Sequence, residues 1–250
     1  MPMQIFRLPI ARLVDEAPGV RTFLFDVPAG LTWEPGAHLH VGLPGFDADG
    51  ERHPELVRHM SVCTLPEEGA LGFTTRLNSS DSQFKRTLGP MGVGDSVALF
   101  KFGSILGLPD DGRPVVLLSQ GVGIASMRPL LLSYAHRKAA GELAATPSLT
   151  SITVDAGERA IYGEELAGLS AEGLVQRRVT GRAEFAEAVR ELGGLGELGE
   201  LGDPAGSLFE VVGSDGFLAS TISLLRGLGV ADGSIVLDKM EAKRAPFFEA

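Results

Sequence analysis

Three short stretches of this 250-residue chain carry side chains suited to holding a phosphate or a polar ring. The first is Arg58-His59-Met60-Ser61. Arginine's planar fork makes paired, charge-assisted hydrogen bonds to a diphosphate. A serine hydroxyl both donates and accepts, so it suits a ring nitrogen or a phosphate oxygen. Successive residues of a strand face opposite ways, so Arg58 and Ser61 project in different directions. The second stretch is Ser119-Gln120-Gly121-Val122-Gly123-Ile124, which follows an apolar run and opens a helix. Glycines there let a ligand approach the backbone, and the first N–H groups of the helix attract a phosphate. Ser126 stands where the full G-x-G-x-x-G fingerprint has its third glycine. The third stretch, Val212-Gly213-Ser214-Asp215-Gly216-Phe217, again lies between a strand and a helix.

Other candidates read as structural. His38 and His40 share one strand face, a spacing open to a metal, but a polar strand edge is the simpler reading. Cys63 is the one cysteine, so neither an intrachain disulfide nor a four-cysteine iron–sulfur cluster is possible. It reads as a small buried hydrophobe rather than a redox thiol. The run 192–203, LGGLGELGELGD, places leucine and glutamate between its glycines and reads as a connector.

The elements that must position these residues follow two patterns. Up to residue 108, β-forming runs at 6–14, 20–27, 37–43, 58–64, 71–77 and 97–102 are punctuated by Pro18-Gly19, Pro35-Gly36, Pro44-Gly45 and Gly94-Asp95. That spacing predicts a small antiparallel barrel or sandwich with one short helix at 83–88. After Pro109-Asp110-Asp111-Gly112 the pattern changes. Strands at 115–118, 151–154, 174–180, 208–212 and 234–237 alternate with helices at 124–138, 164–169, 184–192 and 217–228. The continuous apolar run 115–118 is that of a strand covered on both faces. The alternation predicts a parallel sheet wrapped by helices, with both glycine loops at strand C-terminal ends, where such sheets collect ligands. The expected domains are 1–108 and 109–250.

The order of these features resembles the ferredoxin–NADP reductase family. That family joins an antiparallel β-barrel flavin domain to an α/β parallel-sheet, Rossmann-like NAD(P)-binding domain. Arg58 and Ser61 match its Arg-x-Tyr-Ser/Thr flavin motif. Residues 71–104 are similar to its strand, flavin-diphosphate turn and following strand. SQGVGIASMRPLL resembles its nucleotide loop, and EVVGSDGFL its Cys-Gly-Pro-x-x-Phe/Met segment. The resemblance implies that Arg58 holds the flavin diphosphate and that Met60 lies at a flavin face. Ser61 is the implied catalytic residue, hydrogen-bonding near flavin N5, where hydride arrives. Thr64 and Ser82 would support the ribityl and phosphate groups. Gly121 and Gly123 would seat the nucleotide pyrophosphate on the helix that opens at Ile124, and Gly213 would approach the nicotinamide ribose. Arg182 stands near the position of a 2′-phosphate-binding pair in NADPH-specific relatives, with Arg159 a second candidate. NADPH is thus the implied donor and NADH its alternative. FAD is implied rather than FMN, because Arg58 and Ser82 together suggest a diphosphate site.

Four positions depart from the family pattern. Met60 replaces an aromatic, Val122 a threonine, Ser126 a proline and Val212 a cysteine. They keep open a flavin-binding electron-transfer subunit with weak or no nucleotide turnover, and further a reductase of free flavin. In some relatives C-terminal residues cover the flavin; Phe247-Phe248 could do so, or could pack on the surface.

Charge and hydropathy narrow the partners. The formal net charge is −10, which argues against nucleic acid and anionic membranes. Residues 1–108 hold 9 basic and 12 acidic side chains (net −3), and 109–250 hold 13 and 20 (net −7). Arg52, Arg58, Arg76, Lys85, Arg86 and Lys101 could therefore form a cationic docking surface on the first half. No 18-residue apolar run is present, so no membrane insertion is expected. The opening MPMQIFRLPIARLVDEAPGV does not read as a signal peptide, and a single cysteine fits the cytoplasm. With no cluster of its own, the implied reductase needs a separate acceptor, such as a ferredoxin or a small molecule.

Overall fold

The computed structural model describes residues 4–51, 53–78, 80–143, 148–192 and 204–249. Arg52 and residues 193–203 lie outside them, and so does the connector reading of that run. The chain divides into two compact units after Ser104, slightly ahead of the Pro109 turn.

The first unit is antiparallel β structure. Its strands are β1 (Ile5–Pro9), β2 (Arg12–Ala17), β3 (Val20–Asp26), β4 (Ala37–Gly42), β5 (Val57–Ser61), β6 (Ala70–Arg76) and β7 (Ser96–Ser104). They form sheets β1-β7-β4-β5 and β2-β3-β6, which enclose one core that includes Phe23, Phe25, Leu39, Val41, Phe73 and Leu99. This is the barrel-type unit expected from the turn spacing.

One expectation is corrected: the run 6–14 is two strands. Pro9 has no amide hydrogen to extend a ladder. The Ile10 N–H then bonds Asp95 O and the Ala11 N–H bonds Leu24 O, so the chain passes from one sheet to the other. Ile10 is 1% exposed and plugs the crossing. Helix α1 (Gln83–Leu88) is capped by Ser82, whose Oγ accepts from the Lys85 N–H at 3.4 Å. Phe84 and Leu88, one turn apart, anchor it in the core.

His38 and His40 occupy the β4 face opposite the buried Leu39 and Val41. His59 of β5 lies opposite His40 in register. The His38 and His59 ring centroids are 4.3 Å apart, and those of His40 and His59 5.5 Å. Among the described residues no group of three or more His, Cys, Asp or Glu is placed to hold a metal. Burial, then the Lys101 charge and His38, lower the His40 pKa below its usual 6.5. The unfolded chain therefore binds more protons just below that pH, and stability falls as pH drops through it. His40→Gln should narrow the gap between melting temperatures at about pH 7.5 and about pH 5.5. An unchanged gap would assign the acid sensitivity to other groups.

The second unit alternates strand and helix. It runs β8 (Val115–Gln120), α2 (Ile124–Ala139), β9 (Leu149–Val154), α3 (Gly163–Gly168), β10 (Leu174–Val179), α4 (Arg182–Glu191), β11 (Leu208–Val212), α5 (Asp215–Gly227), β12 (Ile235–Leu237) and α6 (Ala245–Phe248). The strands are parallel, in the order β10-β9-β8-β11-β12. Strand order reverses between β8 and β11, which makes that junction the topological switch point. Val116, Leu118, Ile152, Phe209, Val211 and Ile222 belong to the core.

Phe247 and Phe248 pack on this same core, and Arg226 Nη2 donates to Phe248 O at 2.6 Å. Glu210, on β11, is 1% exposed. Its Oε1 accepts from the Gly107 N–H at 2.7 Å, while Oε2 has no hydrogen-bond partner. Burial pushes its carboxyl up to about 8, with Asp238 adding to the shift, so it holds a proton at neutral pH. No helix among the described residues is long and apolar enough to cross a membrane.

Candidate functional site

In the first unit the chemistry gathers where β5 meets α1. Antiparallel pairing sets Arg58 opposite Val41, Met60 opposite Leu39 and Ser61 opposite His38. Strand alternation turns Arg58 and Met60 to one face. Arg58 Nη1 donates to Val57 O at 2.7 Å, and its guanidinium lies 5.4 Å from the Phe84 ring centroid. The next residue of α1, Lys85, donates from Nζ to Thr75 Oγ1.

Burial, reinforced by the Arg58 charge, lowers the Lys85 pKa to about 8. Neither Arg58 nor Lys85 has a carboxylate partner among the described residues. Two neighbouring, half-buried cations repel each other and cost solvation. An anion offsets both costs, and a diphosphate matches two cations with two charges. The residues present therefore fit a dinucleotide flavin's diphosphate. Sequence reasoning named Arg58 but gave Lys85 only a docking role. Lysine type alone carries no signal; the placing of α1 beside Arg58 does.

The remaining expected residues have varied surroundings. Ser61 ends β5, and Met60 packs against the barrel core. Ser82 caps α1 at the edge of the Arg58–Lys85 pair. Thr64 is buried, with its Oγ1 accepting from the Gly72 N–H at 3.1 Å and its carbonyl from Trp33 Nε1 at 2.8 Å. Arg86, read as part of a docking surface, pairs with Asp81 at 3.0 Å.

In the second unit the two glycine loops meet. Because β8 and β11 are neighbours, their C-terminal ends lie side by side. Ser214 Oγ donates to Gln120 Oε1 at 2.7 Å, and its N–H reaches the same oxygen at 3.3 Å. Gly121 has a φ of 53°, a left-handed conformation suited to glycine. At Gly123 an added Cβ would lie 2.8 Å from Val212 O. The glycine thus lets the loop of β8 press against the end of β11. Ile124 then opens α2, its N–H bonded to the carbonyls of Gly121 and Val122, so the first unbonded N–H groups belong to the Gly121–Gly123 turn itself. Ser126 donates to Asp238 Oδ2 at 3.2 Å, tying α2 to the end of β12.

A cavity of about 450 Å³ is lined by Ile124, Asp155, Gln176 and Arg178 among others. Asp155 follows the last residue of β9, and its Oδ1 accepts from the Gly157 N–H at 3.1 Å. Arg178 donates to the carbonyls of Asp155 and Gly157. Arg177 pairs with Glu191 at 2.5 Å. Arg182 opens α4 and lines a different groove, between α4 and α5. Asp155 was not singled out from sequence. Its signal is an acid directly after the second strand of a βαβ unit that begins with a glycine loop.

No protein-family model matches this sequence, and no curated protein does. Solved structures are similar to it. A ferredoxin NADP+ reductase from Neisseria gonorrhoeae, with bound FAD and NADP, has a TM-score of 0.72 at 19% identity, over 94% of this chain and 98% of that one. The Amycolatopsis cytochrome P450 reductase GcoB has 0.69 at 18%, over 95% and 70%. A flavohemoglobin from Malassezia yamatoensis, with bound FAD and heme, has 0.72 at 15%, over 94% of this chain but only 59% of that one. An antiparallel β unit followed by a five-stranded parallel unit with loops at its switch point defines a reductase-type architecture. The fold is that of ferredoxin–NADP reductase.

Proposed function

We propose that the chain is an NAD(P)H-dependent FAD oxidoreductase that passes electrons to a separate acceptor. The observation that carries this reading is the Arg58–Lys85 pair, two cations with no carboxylate partner among the described residues. The glycine loops of the second unit supply the matching nucleotide site. Arg58 and Lys85 hold the FAD diphosphate, with Ser82 at its edge. Met60 supports one face of the ring through its polarizable sulfur, and Ser61 offers its hydroxyl at the ring. The Gly121–Gly123 turn, through its backbone N–H groups ahead of Ile124, binds the nucleotide pyrophosphate, and Gly213 lets the backbone approach its ribose. Bound FAD would supply acceptance of a hydride from the nicotinamide and release of single electrons. The protein's own work is binding and orientation. A cytoplasmic ferredoxin or another iron–sulfur protein is the acceptor class we favour, by analogy of fold.

Between the two donors, Asp155 favours NADH. A carboxylate at the end of β9 accepts hydrogen bonds from ribose hydroxyls and repels a 2′-phosphate. Arg177 and Arg178, which line the same cavity, are engaged with Glu191 and with backbone carbonyls. Asp155→Ser should lower the NADH-to-NADPH ratio of kcat/KM by about tenfold or more, as expected for loss of roughly 1.4 kcal/mol of discrimination. Steady-state rates with both donors measure it, and an unaltered ratio would remove Asp155 from the site.

The function itself is tested by reconstitution. The purified protein is saturated with FAD, made anaerobic and mixed with each donor. Bleaching of the flavin absorbance, followed by its return on adding oxidised ferredoxin, is expected. Protein that takes up neither FAD nor FMN would end the reading.

A further inference from the structure

Helices α4 and α5 line a groove of about 490 Å³ on the second unit. Phe185 and Phe217 form its apolar base, with ring centroids 5.0 Å apart, and Leu224 adds an apolar wall. Arg182 and Arg190 are two four-residue steps apart and share one face of α4. Both line the groove, and neither has a hydrogen bond or ion pair among the described residues. Among the described residues the lining contains no carboxylate, although the chain has 32 acidic and 22 basic side chains. Thr221, 1% exposed, lies behind this lining, and its hydroxyl is buried without a partner among the described residues.

An apolar base flanked by two arginines without a carboxylate partner among the described residues is the complement of an amphiphilic anion. The volume is that of a small-molecule site. We propose that this groove binds a small apolar anion: an aryl or medium-chain acyl body with one carboxylate or sulfonate head. The body covers Phe185, Phe217 and Leu224, and an arginine meets the head. Of its residues only Arg182 was expected, from the family resemblance, near a 2′-phosphate; the function proposed above does not use it, so the site stands whether or not that function does.

The full chain, with FAD and NADH present in excess, is titrated with anilinonaphthalene sulfonate and followed by fluorescence. Saturable binding at one site is expected. Decanoate should displace the dye, and decanol should do so at least about tenfold less well. The double variant Arg182→Gln, Arg190→Gln should weaken decanoate by about tenfold or more, with an unchanged circular dichroism melt. Ser223→Trp, which fills the groove from its exposed rim, should abolish dye and decanoate binding together. Unsaturable dye binding, equal competition by decanol, or undiminished decanoate affinity in the double variant would each overturn the proposal. If the double variant melts early, the decanoate–decanol comparison in the native chain decides.

Discussion

Arg58→Ala protein is expected to purify nearly colourless. A guanidinium–diphosphate contact contributes two charge-assisted hydrogen bonds, each worth about 1.5–3 kcal/mol. Part of that loss is recovered, because removing Arg58 relieves the repulsion that depresses Lys85. The expected net effect is therefore at the lower end, about 100-fold weaker FAD. FMN lacks the second phosphate and should weaken less. Titration calorimetry with both flavins distinguishes this from general damage: equal losses for FAD and FMN would place Arg58 away from the diphosphate.

Lys85 gives the same experiment a pH axis. Its pKa in the free protein is about 8. A bound diphosphate favours the charged ammonium, so the complex takes up a proton above that pH. FAD affinity should then fall as pH rises past about 8, by up to tenfold per pH unit, and Lys85→Gln should flatten the slope. A native profile that is already flat from pH 7 to 9 would detach Lys85 from the ligand.

Gly123→Ala should reduce kcat/KM for the nicotinamide donor by about 100-fold and leave FAD content intact. The new methyl carbon would lie 2.8 Å from Val212 O, a backbone atom of a central strand. The carbonyl is held by the sheet, so the Gly121–Gly123 turn must move. Displacements of about 1 Å in a positioning element cost about 100-fold in rate. Gly233→Ala, where an added methyl meets nothing within 4 Å, is the control and should leave the rate unchanged. Ferricyanide reduction reads both. A drop in FAD content in Gly123→Ala would mean that the change spreads beyond the nucleotide loops.

Much of this architecture was legible in the sequence. Strand and helix periods separate cleanly at the Pro109 turn, and the glycine loops fall where parallel strands end. The split at Pro9 was not legible, because 6–14 reads as one β-forming run until the partners of Ile10 and Ala11 are known. At the candidate site, Arg58 carries a motif that the sequence shows; Lys85 carries none. Lys85 comes beside Arg58 only through the folded placing of α1, which joins residues distant in sequence. The same holds for Arg182, whose place on α4 is clear from sequence but whose groove needs α5 to exist.

The bond between Glu210 and Gly107 bears on dissecting the protein. The segment just after Ser104 looks like dispensable linker, and a natural cut for expressing the second half would be the Pro109 turn. That cut would strip Glu210 of the one hydrogen-bond donor it has among the described residues and leave an acid group sealed inside the sheet. The penalty for such a stranded group is about 1–3 kcal/mol, a large share of what keeps a small domain folded. A fragment that starts at Ile105 keeps the donor and is the sounder design.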